Sequence, residues 1–118
     1  MFYNCKDIQT IDLSNLNTAS LTNMERMFRL CSKLTSVNFG NFNTNNVTDM
    51  SYLFSDCKLL TSLDLTSFDT HKVSTMQRMF AATSVLNVVN VKTGKWVTAP
   101  NYTGMFYNSN ISEVTYNA

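Results

Sequence analysis

Residues 60–80, "LTSLDLTSFDTHKVSTMQRMF", hold a strand pattern, a turn-rich link and a helix-like stripe, and residues 34–57, "LTSVNFGNFNTNNVTDMSYLFSDC", repeat that order one unit earlier. A Met-Phe or Leu-Phe pair marks the same phase at Met1-Phe2, Met27-Phe28, Leu53-Phe54, Met79-Phe80 and Met105-Phe106, a period of 26 residues along the chain. A period of this size marks an array whose units cannot bury their apolar faces alone and must stack on their neighbours.

The other phases fall into columns. Ile8, Leu34, Leu60 and Leu86 align, as do Ile11, Val37, Leu63 and Val89, then Leu13, Phe39, Leu65 and Val91. All seven methionines occupy two phases, Met24, Met50 and Met76 in one and Met1, Met27, Met79 and Met105 in the other, which marks them as core. Thr18, Thr44 and Thr70 form a polar column preceded by Asn17, Asn43 and Asp69, placed to hydrogen-bond loop backbone between units.

Within a unit, Leu63 and Leu65 alternate with Ser62 and Asp64, the period of a short strand. Val47, Met50, Leu53, Phe54 and Cys57 then step at spacings that trace one stripe of a helix, with Asn46 as its N-cap and Asp49 in its first turn. The expectation is parallel strands near 10–13, 36–39 and 62–65 and helices near 21–30, 47–56 and 73–82. Repetition of that order puts all helices on one side of the sheet. The fold class expected is therefore α/β: a solenoid of strand-turn-helix units with a short parallel sheet on its inner face and helices outside. It forms one array over 1–118, with units at about 1–26, 27–52 and 53–78 and a degenerate C-terminal unit and cap at 79–118.

The Leu-x-x-Leu-x-Leu strand, the Phe-Asp/Asn-Thr link, the Asn-Val-Thr-x-Met start and the Met-Phe-x-x-Cys end resemble the BspA-type leucine-rich repeats of bacterial surface proteins. The resemblance covers about residues 1–80. It implies a cell-surface or extracellular location and a non-catalytic adhesion or protein-binding role toward a protein or cell-surface ligand. A receptor-recognition element of a phage particle, or a spacer in a larger protein, are the alternatives.

The fourth unit departs from the pattern at Gly94, Trp96 and Pro100, and its Thr-Gly signal suggests a local hairpin. One residue is missing after Ser109, so "ISEVTY" is expected to form a last edge strand one position early, with Glu113 blunting the edge. The first unit begins inside the stripe, which suggests a fragment of a longer array and possible self-association through the uncapped N-terminal rung. No charged and apolar leader pattern of a signal peptide is present in this chain.

Nine basic against eight acidic residues, scattered, leave a net charge of +1 and no footprint for nucleic acid. Nor does the sequence hold an apolar run of about 18 residues for membrane insertion. Cys5, Cys31 and Cys57 share one phase and are expected to be buried free thiols, since outer helices would hold their backbones too far apart for a disulfide. No metal or cofactor is expected: the single His71 lies in a loop away from the cysteines, and Asp12 and Asp64 are separated by neutral Asn38. No serine elbow, phosphate loop or unrepeated carboxylate pair supports an enzyme.

Binding is expected on the strand face turned away from the core. Its candidates are Thr10, Asp12, Ser14, Ser36, Asn38, Ser62, Asp64, Thr66, Asn90 and Lys92. The alternative is the C-terminal hairpin, with Trp96 and Tyr102 as aromatic anchors.

Overall fold

A computed structural model describes residues 2–118. The alternating segments form short strands: β1 Thr10–Asp12, β2 Ser36–Asn38, β3 Ser62–Asp64, β4 Val88–Lys92 and β5 Thr115–Asn117. Each of the first three buries only its middle residue, Ile11, Val37 or Leu63. Pairing is parallel throughout and in register with the repeat, Ile11 opposite Val37 and Leu63 opposite Val89. The strands fall into two small sheets, β1-β2 and β3-β4-β5, with no ladder between β2 and β3. A second line of parallel bridges, Asn23 to Asp49 to Thr75 to Asn101, runs across that gap. β5 meets β4 one residue early, Thr115 opposite Asn90, as the missing residue after Ser109 requires.

The expected helices at 21–30, 47–56 and 73–82 do not form; there is no helix among the described residues. The α/β class and the leucine-rich-repeat solenoid with helices outside are thus replaced by a compact assembly of strands and coil measuring 30 × 30 × 24 Å. In place of each helix runs a chain of tight turns. The Met27, Arg29 and Cys31 amides bond the Met24, Arg26 and Phe28 carbonyls three residues back. Amides at alternate positions leave the segment altogether: those of Met24, Arg26, Phe28 and Leu30 donate to the carbonyls of Asp49, Ser51, Leu53 and Ser55 one rung on. A helix would need those same N–H groups for its own carbonyls four residues back.

Arg26, Leu30, Tyr52, Asp56, Arg78 and Ala82 also adopt positive φ, from 52° to 63°, which no α-helix tolerates. Turns that reverse every two to three residues point side chains inward at spacings of three and four, the same stripe a helix gives. Asn46 and Asp49 accordingly do not cap a helix. Asn46 donates to the Ala19 carbonyl, and Asp49 accepts the Ser51 amide and hydroxyl at 2.8 and 2.6 Å.

Columns of like side chains fill the interior. Phe2, Phe28, Phe54, Phe80 and Phe106 stack face to face at 5.4 to 5.8 Å, and Phe39 packs edge-on against Phe28, Phe54 and Phe68. Both methionine columns are buried at every position from Met24 to Met105; Met1 lies outside the described residues. The threonine column ties rungs together. Thr44 donates to the Asp69 carbonyl and accepts the Asp69 N–H, both at 2.8 Å, and Thr18 and Thr70 do the same with Asn43 and Val97.

The fourth rung forms no hairpin. β4 pairs only with parallel neighbours, and the chain then makes one tight turn in which the Lys95 and Trp96 amides share the Lys92 carbonyl. Gly94, at φ 87°, supplies the left-handed residue that turn needs. Glu113 lies outside β5 and does not guard its edge.

Candidate binding surfaces

The strand registers bring the polar candidates onto one face in each sheet, with Thr10 and Asp12 beside Ser36 and Asn38, and Asp64 beside Asn90. Ser14, Ser62 and Lys92 are exposed with them, whereas Thr66 and Asn90 are half-buried. The acidic and amide groups are largely spent on their own loops. Asp12 Oδ1 accepts the Ser14 amide at 2.9 Å and its hydroxyl at 2.6 Å, Asp64 Oδ1 does the same with Thr66 at 3.0 and 2.6 Å, and Asn38 Oδ1 accepts the Gly40 amide. The Ser14 hydroxyl, and then its N–H, hold the Asp12 carboxyl below the usual carboxylate range. These residues therefore shape the turn after each strand. Asn90 accepts from Asn117 at 3.1 Å, and Lys92 donates to the Ala118 backbone oxygen at 2.8 Å.

Of the two aromatic anchors expected near Gly94, only Tyr102 is exposed, at 60%. Trp96 is a core residue at 4% exposure, and its indole N–H has no partner. Both border a cleft of about 450 Å³ with Met105, Phe106, Val114 and Tyr116. At the opposite end an apolar cleft of about 280 Å³ opens between Leu13, Leu16, Leu21, Met27 and Phe42.

Sequence reasoning missed a third surface, on the turn segments. All three arginines of the chain lie there, each over a tyrosine ring: Arg26 and Arg29 at 5.2 and 4.9 Å from the Tyr52 centroid, Arg78 at 5.1 Å from Tyr107. Tyr3 and Tyr107, half-exposed or more, share the phase of Arg29. Arg29 Nε sits 3.8 Å from Asp56 Oδ2, while among the described residues Arg26 and Arg78 form no ion pair. The signal was present in the sequence: Arg26, Tyr52 and Arg78 fall in one column. The column lies off the apolar stripe, and the pattern of hydrophobic residues does not single it out.

The thiols are placed for packing. Cys57 Sγ donates to the Phe28 carbonyl at 3.1 Å and Cys31 Sγ to the Phe2 carbonyl at 3.0 Å, and burial raises both thiols above their ordinary pKa, Cys57 strongly. Cys5 is half-buried. The helix-spacing argument against a disulfide lapses with the helices. It is the engagement of each Sγ with a carbonyl of the preceding rung that describes these groups now. Among the described residues no cluster of three His, Cys, Asp or Glu side chains is positioned for a metal, and no helix is long and apolar enough to cross a membrane.

No curated protein and no solved structure matches the chain significantly. A family model does, over residues 1–117, so that all five strands and both terminal clefts fall inside the match. The chain belongs to the family described as Mycoplasma protein of unknown function, DUF285.

Proposed function

We propose that this chain is a non-catalytic protein-binding module of an extracellular or cell-surface protein, and that it engages its partner through the arginine-tyrosine face. The observation that carries this reading is the composition of that face. Arg and Tyr are among the residues that dominate binding energy in protein interfaces, and here all three arginines lie with Tyr52 and Tyr107 on the turn segments, while the strand face presents Asn, Asp, Thr and Ser. Tyrosine rings lying under the guanidinium groups limit the side-chain freedom lost on binding. Arg26 and Arg78, which among the described residues have no ion-pair partner and whose backbones are two rungs or about 10 Å apart, suit a partner surface bearing carboxylates. The repeat motifs shared with BspA-type surface proteins support the location.

The experiment immobilises the protein and measures retention of fixed animal cells and of purified extracellular matrix proteins. Arg26→Ser with Arg78→Ser is expected to weaken retention about 30-fold or more, as loss of interface hot spots does, with an unchanged melting temperature. Equal retention by this variant, with loss on replacing Thr10, Ser36 and Ser62, would move the site to the strand face. No retention by the unaltered chain would favour a spacer role.

A further inference from the structure

The repeat breaks at one polar cleft, and the break changes its chemistry. In the first three rungs the second residue after the strand is Ser14, Gly40 and Thr66, and the loop beyond it is held by Asn17, Asn43 and Asp69. The fourth rung has Lys92 and Lys95 at those two phases. Asn17, Asn43 and Asp69 each accept an amide two residues on, through a side-chain oxygen that lysine lacks. The loop therefore closes on the Lys92 carbonyl instead, and the Thr70 bridge reaches Val97, 27 residues on rather than the 25 of the bridge from Thr44. Beside this loop lies an open cleft of about 460 Å³, bordered by Asn41 of the second loop, Thr66 and Ser67 of the third, Lys92 and Lys95 of the fourth and Asn117 of β5.

Two ammonium groups border this space, each held by a backbone oxygen. Lys92 Nζ donates to Ala118 O at 2.8 Å and Lys95 Nζ to Ser67 O at 3.4 Å; among the described residues neither lies within ion-pair distance of an Asp or Glu side chain, although the Lys95 charge is felt at Asp69. Asp64 is engaged with Thr66, and Asp69 with the His71 amide and ring. Ser67 Oγ is buried and has no hydrogen-bond partner, which in a native site asks for one. Asn41 and Asn117 bring amides, each able to donate and accept.

We propose that this cleft binds a small polyhydroxylated carboxylate of the hexuronic acid class, its carboxylate between Lys92 and Lys95 and its hydroxyls on Ser67 and the two asparagines. Ammonium groups act as point charges toward a carboxylate. Phosphate sites typically add a cradle of backbone N–H groups, whereas here side-chain amides and hydroxyls, which match sugar hydroxyls, border the cleft. The size fits a pocket for a small ligand, for which about 300 to 1,000 Å³ is usual. The site is separate from the arginine-tyrosine face, and either can fail without the other.

The test is a titration of the isotope-labelled protein with sodium glucuronate, followed by amide chemical shifts, with glucose, acetate and inorganic phosphate as parallel arms at constant ionic strength. Saturable shifts at Gly40, Asn41, Ser67 and Gly94 with glucuronate, and weaker responses to the other three, are expected. Lys92→Gln and Lys95→Gln should each weaken binding about tenfold or more, and Lys95→Arg, which keeps the charge, should bind more tightly than Lys95→Gln. An equal or stronger response to phosphate would overturn the carboxylate assignment. No saturable response, or shifts confined to Tyr52 and Tyr107, would overturn the site.

Discussion

Phe28 and Phe54 lie face to face with centroids 5.4 Å apart and planes 3° from parallel, although 26 residues separate them in the chain. The same contact recurs from Phe2 to Phe106, so each inner ring is shared by two rungs. Phe54, fully buried at the centre, should be the costliest to remove. Phe54→Ala is expected to lower unfolding free energy by about 3 to 5 kcal/mol, and Phe2→Ala, at the half-buried end of the column, by much less. Denaturant titration of both variants reads the difference. Equal losses would show that the stack is not the shared core described here.

Ala82 offers a test of turns against helix at one atom's cost. Its φ of 57° strains any residue with a Cβ. Ala82→Gly should therefore raise stability by up to about 1 kcal/mol, whereas in a helix interior the same change would lower it by about 1 kcal/mol. The sign of the shift in melting temperature decides between them.

The cysteines should separate by reactivity. Cys5 is half-buried, while Cys31 and Cys57 are buried and their thiolates disfavoured by desolvation. Iodoacetamide on the native protein is expected to label Cys5 first and to reach the other two only under denaturing conditions. A non-reduced, denatured sample should count three thiols per chain; mass spectrometric detection of a linked pair would contradict this.

Acid should loosen the third loop. Burial pushes the Asp69 carboxyl up, but the His71 amide, the His71 ring and the Lys95 charge together outweigh it and leave it below its ordinary value. A carboxyl depressed in the fold stabilises above its unfolded pKa of about 3.9 and loses that contribution as pH falls through the folded value. Melting temperature should drop below about pH 4. Asp69→Asn, which keeps the oxygen that Asn43 uses in the same column, should show a smaller acid drop and little change at neutral pH. An unchanged acid drop in that variant would place the sensitivity elsewhere.

The 26-residue register was legible because it rests on many phases at once, and the strands at Ile11, Val37 and Leu63, the buried methionines and the bridging threonines all follow from it. The helices were misread because Val47, Met50, Leu53 and Phe54 are spaced as either a helix or a turn chain would space them. What separates the two is the backbone sign at Arg26, Tyr52 and Arg78, and residue type does not announce it: none of the three is glycine, and only Gly104 in that column gives the hint. Alternation leaves Thr10, Asp12, Ser36, Asn38, Ser62 and Asp64 on the exposed side of their strands, but the side-chain bonds of Asp12 and Asp64 to their own loops become visible only in three dimensions. Trp96 was misplaced for a related reason. A tight turn on Lys92 sends it inward, where a hairpin would have sent it out.

The alternate amides of Met24, Arg26, Phe28 and Leu30, which bond forward to the next rung, also govern how the chain bears load. Under tension a rung peels away most easily where it is bonded to a neighbour on one side only. Once its amides let go, the rung behind it becomes outermost in turn. Each step frees 26 residues, or roughly 90 Å of extended chain at about 3.5 Å per residue. The chain is thereby expected to lengthen under pull in increments of one repeat and to close again on the rungs that stay folded.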